Sequence, residues 1–405
     1  MPKKDLWKFE AGDGNYMGAR AFVDAAIQVS ALFQITPTTQ FAEWLTEFKR
    51  RGLLPMTELL LMNGEDDAFT ACHSASQCGV RVGTGSCSQG LLFGAQPLKS
   101  LAGSRCPVVT LAAMRSTSAP INIHCSHDDV QFFRDTGNII LIAKDPSEVY
   151  TCALLAFKIG EDPRVQLPVI VGYDGFDVSH TIKTDNRVLS EEGLALFRDY
   201  LGEYDRPNSA LSLEHSVSMG SLVLPQYFME VNYAELMAME NALVAGEDAV
   251  KYFSKNFWKI PPLVTGYRTA DAEYIVIGMG STWGTMKEAV DVARDKGIKA
   301  GAVSVMMYRP FPVAKLRKIL GKAKAIATLD RAPTFGAPCG PFGADVAGMF
   351  VNQAKKPLIM NCIYGLGGRL LSVQDLVTDV IEPLKTPKTW QNDTRSVWIG
   401  VRGGK

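Results

Sequence analysis

Charge of one sign is not in excess here: Lys+Arg and Asp+Glu both count 42 in 405 residues, so the formal charge is zero. A surface that grips nucleic acid needs a basic footprint to displace phosphate counterions, so no nucleic acid partner is expected. Long apolar runs are missing too. Stretches such as Leu59-Leu60-Leu61-Met62 fall far below the ~20 residues of a membrane-spanning helix. The opening Met1-Pro2-Lys3-Lys4-Asp5 lacks the apolar core of a secretory signal, and the expectation is a cytoplasmic protein. The eight cysteines contain no Cys-x-x-Cys pair. They are too sparse to staple the chain or to hold an iron–sulfur cluster, which suits a reducing compartment. Histidine is scarce: His124 and His127 stand three apart with no third ligand at a recognisable spacing, so no metal is expected in this chain.

What is abundant is apolar sequence, 47% of the chain, in short β-branched runs alternating with amphipathic stretches. That alternation is the pattern of an α/β fold with a mainly parallel sheet. In the first half it predicts helices over 17–29 and 41–49, with strands at 31–35, 59–62, 80–83, 108–112, 139–143 and 169–173. In the second half it predicts strands at 274–277, 302–306, 325–329 and 358–362, and amphipathic stretches at 286–293, 313–320 and 344–351. Residues 185–262 are richer in charge and aromatics, carry no obvious strand, and end at Pro261-Pro262. The division is therefore a first domain over 1–184, a wrapping segment over 185–262, a second domain over 263–390 and a tail over 391–405.

Two glycine signals fall short of their motifs. Gly278-Met279-Gly280 follows a strand as a dinucleotide fingerprint does, but Trp283 stands where close helix packing needs Gly or Ala. Gly12-Asp13-Gly14-Asn15 matches the start of a thiamine diphosphate metal motif, yet its downstream Asn is missing, since residues 38 to 42 read Thr38-Thr39-Gln40-Phe41-Ala42.

Ordered segments then carry a resemblance: Ile35-Thr36-Pro37-Thr38-Thr39, Gly64-Glu65, Ser86-Cys87-Ser88-Gln89-Gly90-Leu91-Leu92, Met114-Arg115, His127-Asp128-Asp129 and Asp174-Gly175-Phe176-Asp177-Val178-Ser179-His180. Together with Tyr308-Arg309-Pro310-Phe311-Pro312, Leu329-Asp330-Arg331 and Gly365-Leu366-Gly367-Gly368-Arg369, they resemble the α chain of the multi-subunit 2-oxoacid:ferredoxin oxidoreductases over about residues 10 to 385. The resemblance implies a thiamine diphosphate pyrimidine-type domain followed by a transketolase C-terminal-like domain. It implies oxidative decarboxylation of a 2-oxo acid to an acyl-CoA, with coenzyme A as co-substrate. The thiamine diphosphate would be shared with a β chain that supplies the diphosphate and Mg2+ site. Iron–sulfur (4Fe-4S) clusters would sit in partner chains, the partners being β, γ and ferredoxin-like subunits. The acceptor, ferredoxin, flavodoxin or NAD, would be reached through another subunit.

In that light Glu65 is the expected carboxyl partner of the cofactor's pyrimidine, where burial that raises its pKa lets it share a proton. Its plain alternative is an acidic helix start, Glu65-Asp66-Asp67, favoured by the dipole. Arg115, just past a strand, is expected to hold the substrate carboxylate by its guanidinium fork, and the alternative is a surface arginine. Thr36 offers a hydroxyl to the substrate, or is an ordinary Thr-Pro turn. Ser86, Ser88 and Gln89 are expected near the pyrimidine in a glycine-rich stretch, Gly83 to Gly90, that lets backbone approach a flat cofactor; the alternative is a plain strand-to-helix turn. His127 reads as a helix-start residue standing behind the site.

Pyruvate-using relatives typically read Tyr-Pro-Ile-Thr-Pro where this chain has Phe33-Gln34-Ile35-Thr36-Pro37. An aryl or other 2-oxo acid such as phenylglyoxylate, or oxalate, therefore stands beside pyruvate as substrate. A subunit that kept the fold and only docks its partners is the other class of reading.

Overall fold

The computed structural model describes residues 4–204, 219–390 and 395–403, together with Leu211 and Val217. Two mainly parallel sheets organise the chain. The first has five strands in the order Met307–Arg309, Ile139–Ala143, Val169–Asp174, Val109–Met114 and Gly83–Ser86. The last four pair in parallel, and Met307–Arg309 joins antiparallel at the edge. The second has six, ordered Val397–Trp398, Leu358–Ile363, Ala325–Asp330, Tyr274–Gly278, Ala300–Val305 and Val264–Tyr267, parallel except for the last. Ile139–Ala143 and Val169–Asp174 are buried along their whole length, which is why they read as continuous apolar runs.

The expectation of no strand between 185 and 262 is corrected. Lys183–Leu189 is a strand, paired antiparallel with Trp7–Gly12. Its Lys-Thr-Asp-Asn-Arg sequence hid it, because a two-stranded ribbon with exposed positions does not need an apolar run. The same region holds the helices Glu191–Leu201 and Pro225–Asn256. The latter buries small residues at helical spacing, Ala238, Ala242, Ala245, Gly246 and Ala249, and then Phe253, so its second half packs closely on the first domain. Its first turns leave Tyr227, Phe228, Met229 and Tyr233 exposed.

Two other boundaries moved for physical reasons. The helix expected over 17–29 is Gly14–Asp24, started early by Asp13, whose side chain accepts the Tyr16 N–H. The strand expected at 80–83 is instead Gly83–Ser86. A Cβ on Gly83 would lie 2.3 Å from the Phe22 ring, and one on Gly85 would lie 2.6 Å from the Phe41 ring. Those two glycines clear core aromatics. The tail expected over 391–405 falls partly outside the described residues.

Candidate active site

The candidate residues gather where the parallel strands of the first sheet end, the usual place for a ligand crevice in an open α/β sheet. Ser86 is the last residue of Gly83–Ser86, and Arg115 follows Val109–Met114 directly. Glu65 is the first residue of the helix Glu65–Gln77, with Gly64 as its extended N-cap.

Glu65 is buried, and no ion pair reaches it among the described residues. Burial raises its pKa and Asp66 adds to this, while Arg115 opposes it. Its Oε1 and the Ser86 hydroxyl lie against the same backbone position: a Cβ on Gly90 would meet each at 2.4 Å. The Ser86 hydroxyl is buried and has no partner among the described residues. A buried carboxyl with its pKa raised, beside an unsatisfied hydroxyl and with backbone drawn close, fits the polar edge of a pyrimidine ring.

Arg115 is 5% exposed, so the buried alternative holds over the surface one. Its Nη2 donates to Gln89 Oε1 at 2.7 Å, its Nη1 donates to the Thr36 carbonyl, and its Nε is buried without a partner. Thr36 therefore joins the site through its backbone. Its side chain is exposed, and the hydroxyl has no partner among the described residues. Cys87 Sγ also donates to that carbonyl, at 3.3 Å, and burial pushes this thiol up to about 12, so it is inert.

The Ser88 Oγ lies within hydrogen-bond reach of two acceptors, the Ser116 carbonyl at 2.7 Å and Gln89 Oε1, and its one proton serves either. Gln89 thus faces Arg115, not the Glu65 side. Of the three polar residues expected at the pyrimidine, Ser86 lies beside Glu65, whereas Ser88 and Gln89 are engaged with Ser116 and Arg115.

Sequence reasoning missed Asp129, which is wholly buried and accepts three backbone N–H groups, from Ser88, Arg115 and Val130. Burial and the neighbouring Asp128 push its carboxyl up to about 8, against those donors. The Asp-Asp doublet after His127 was the available signal, and it reads equally as a dipole-favoured helix start.

Reading His124 and His127 by spacing alone missed the fold's contribution. Cys125, His127 and Asp174 come together, all buried, with ligand atoms within 4.8 Å of one another. That carboxylate already carries a cation: Arg331 Nη1 donates to Asp174 Oδ2 at 2.7 Å, and His127 Nε2 lies 2.9 Å from Oδ1. Burial would raise the Asp174 carboxyl, but His127, Arg331 and Ser281 hold it well below the usual carboxylate range. The Asp174, Arg331 and Gly365–Arg369 motifs therefore build the seam between the two sheets. Asp13, for its part, is engaged as a helix cap at 2.8 Å from the Tyr16 N–H.

Residues 20–251 match the thiamine diphosphate-binding domain of pyruvate flavodoxin/ferredoxin oxidoreductases, and residues 272–376 match core domain II of pyruvate:ferredoxin oxidoreductase. The fold and both matched domains are those of a thiamine diphosphate-type oxidoreductase chain. The pyruvate synthase subunit PorA of Pyrococcus furiosus is 35% identical over 99% of each chain. PorA of Thermotoga maritima is 34% identical, covering 87% of this chain and 89% of its own, and the ketoisovalerate oxidoreductase subunit VorA of Pyrococcus abyssi is 32% identical over 96% and 97%. This chain belongs to the 2-oxoacid:ferredoxin oxidoreductase family, as an α subunit.

Among solved structures, a 2-oxoglutarate:ferredoxin oxidoreductase from Magnetococcus marinus shares the fold with a TM-score of 0.72 at 15% identity, over 93% of this chain. This chain spans 65% of that one, less than two thirds of its length. An inactive β4 tetramer of a split-gene transketolase shares it at a TM-score of 0.51 and 13% identity, over 92% of this chain and 98% of that one. No described helix is long and apolar enough to cross a membrane.

Proposed function

We propose that this chain forms the pyrimidine side of a thiamine-dependent active site that oxidatively decarboxylates a 2-oxo acid, completed by companion chains. The observation that carries this reading is the buried Glu65 carboxyl beside the unpartnered Ser86 hydroxyl, next to a buried arginine. Bound thiamine diphosphate supplies a nucleophilic carbon for the substrate's carbonyl. Glu65, with its pKa raised by burial, holds and returns the proton that the pyrimidine needs. Ser86 satisfies its hydroxyl against the same ring. Arg115 offers its remaining N–H groups to the substrate carboxylate, and fixing that group orients the carbonyl until carbon dioxide leaves. Thr36 keeps Arg115 in place through its carbonyl, with its exposed hydroxyl free for the substrate.

The diphosphate and Mg2+ belong to a β chain, because Asp13 is engaged as a helix cap and the second half of the metal motif is lacking. Electrons pass to iron–sulfur clusters in γ and ferredoxin-like partners and on to ferredoxin, flavodoxin or NAD, with coenzyme A taking the acyl group. The apolar start of Pro225–Asn256, exposed in the single chain, suits a subunit of a larger assembly. The substrate is pyruvate, the acid in the names of several relatives, or a branched, aryl or dicarboxylic counterpart such as phenylglyoxylate or oxalate. Phe33 and Gln34, where the chain departs from pyruvate-using relatives, are exposed and so suit a pocket wall shared with a companion chain.

The test is a 2-oxo acid panel on the complex purified from its host, with coenzyme A and a viologen dye as acceptor. Reduction with one acid names the substrate, and Glu65→Gln is expected to lower that turnover by ~10²-fold or more with assembly intact. Near-normal turnover in the variant would sink the catalytic assignment and favour a docking subunit.

A further inference from the structure

Arg115 opens a short segment whose three main-chain N–H groups are all held from one direction. The Arg115 N–H donates to Asp129 Oδ2 at 3.0 Å and the Thr117 N–H to Asp128 Oδ2 at 2.9 Å. Between them, the Ser116 N–H donates to the His124 carbonyl at 3.2 Å, and the Ser116 and Ser126 hydroxyls lie 2.8 Å apart. The Thr117 hydroxyl reaches Asp128 as well. Residues 124–129 thus run along residues 115–117 as a brace.

The far side of this brace belongs to the second sheet's loops. The His127 N–H donates to the Arg331 carbonyl at 2.8 Å, the Gly368 N–H to the Cys125 carbonyl at 3.0 Å, and the Gly367 N–H to Ser126 Oγ at 3.0 Å. A rigid spacer therefore connects the loops of the second domain to the backbone that carries Arg115.

Asp129 does one thing more. The oxygen that accepts from Arg115 also accepts the Ser88 N–H at 2.9 Å, while Oδ1 takes the Val130 N–H at 2.7 Å. Ser88 has a positive φ of 50°, so the turn it makes is one that needs holding. Three N–H donors converge on the two oxygens of this side chain, and an Asn there would turn an NH2 toward at least one of them. Oδ2 thereby joins the Ser88-Gln89 turn to the segment that carries Arg115.

We propose that Asp128 and Asp129 are positioning residues of the 2-oxo acid site, through which docking of the second domain sets the grip of Arg115 on the substrate carboxylate. This deepens the function proposed above and rests on Arg115 binding that carboxylate.

The experiment uses the complex purified from its host and the 2-oxo acid turned over in the panel, with KM and kcat measured for Asp128→Ala, Asp128→Asn, Asp129→Asn and Arg115→Ala. Asp128→Ala is expected to raise KM about tenfold, the effect of losing a charge-assisted hydrogen bond, with kcat within about twofold. Asp128→Asn, which keeps an acceptor for Thr117, is expected to restore KM. Asp129→Asn is expected to raise KM and also to weaken thiamine diphosphate binding, read by titrating the cofactor into the stripped complex.

Unchanged KM across the Asp128 and Asp129 variants, with KM raised in Arg115→Ala, would overturn this proposal and leave the site reading standing. An unchanged KM in Arg115→Ala would instead remove the site reading. A fall in kcat and thermal midpoint at fixed KM would show a merely structural role and also overturn the proposal. Should Asp129→Asn fail to assemble, the Asp128 pair decides by itself.

Discussion

Arg331 and Asp174 meet at 2.7 Å, both side chains almost fully out of solvent, and tie a strand end of the first sheet to a strand end of the second. Arg331 also donates to the Gly365 carbonyl and to Asp177, so its guanidinium is committed on several sides. Replacing it by Met should leave Asp174 buried without its cation and cost about 3–5 kcal/mol. Chemical denaturation of the purified chain measures this, and a loss below about 1 kcal/mol would contradict it.

The same pair sets an acid limit. Asp174 is held well below the usual carboxylate range in the folded chain and returns to ~3.9 when unfolded. Its contribution is therefore complete above that unfolded value and is lost as pH falls through it towards the folded value. Denaturation midpoints taken from about pH 5 down to about pH 2 should fall for the native chain and fall less steeply for Asp174→Asn. Equal slopes would count against the assignment.

Gly90→Ala places a methyl 2.4 Å from both Glu65 Oε1 and Ser86 Oγ. Overpacking of this kind costs about 1–3 kcal/mol, here borne by the two groups assigned to the cofactor ring. Thiamine diphosphate affinity should drop by tenfold or more. Unaltered cofactor titration would mean that these groups do not face the cofactor.

Gln89 presents a neutral oxygen to Arg115 at 2.7 Å. Gln89→Glu would put a carboxylate there, an internal competitor for the substrate's own. KM for the 2-oxo acid should rise by roughly tenfold or more, the scale of a charge-assisted hydrogen bond. A lower KM would refute the competition.

Asp13→Ala removes a helix cap and should cost about 1 kcal/mol of stability. Because Asp13 is engaged by the Tyr16 N–H, the Mg2+ requirement of the complex should not move. A shifted Mg2+ titration would bring the metal to this chain.

Legibility followed the physics of each element. Ile139–Ala143 and Val313–Leu320 match their sequence-based bounds because an apolar run and a helical stripe each announce themselves. Lys183–Leu189 and Met307–Arg309 did not, one being polar and the other three residues long. Glu65 and Arg115 stand next to a helix start and a strand end, and position in an α/β sheet makes such residues visible. Asp129 joins residues 41 and 14 positions away through backbone donors, which no spacing rule can show. Thr36 is legible as a candidate but not as the carbonyl acceptor of Arg115, since sequence displays side chains and conceals which backbone groups are engaged.

The strand Met307–Arg309 lies beyond the wrapping segment in sequence yet borders Ile139–Ala143 in the first sheet. A gene broken between the two halves would give a first piece with one bare sheet edge and a second piece with a stray strand, both inviting mispairing. The first sheet is therefore finished only by the second half: a second domain exchanged for another must bring its own edge strand with it, or that edge stays open.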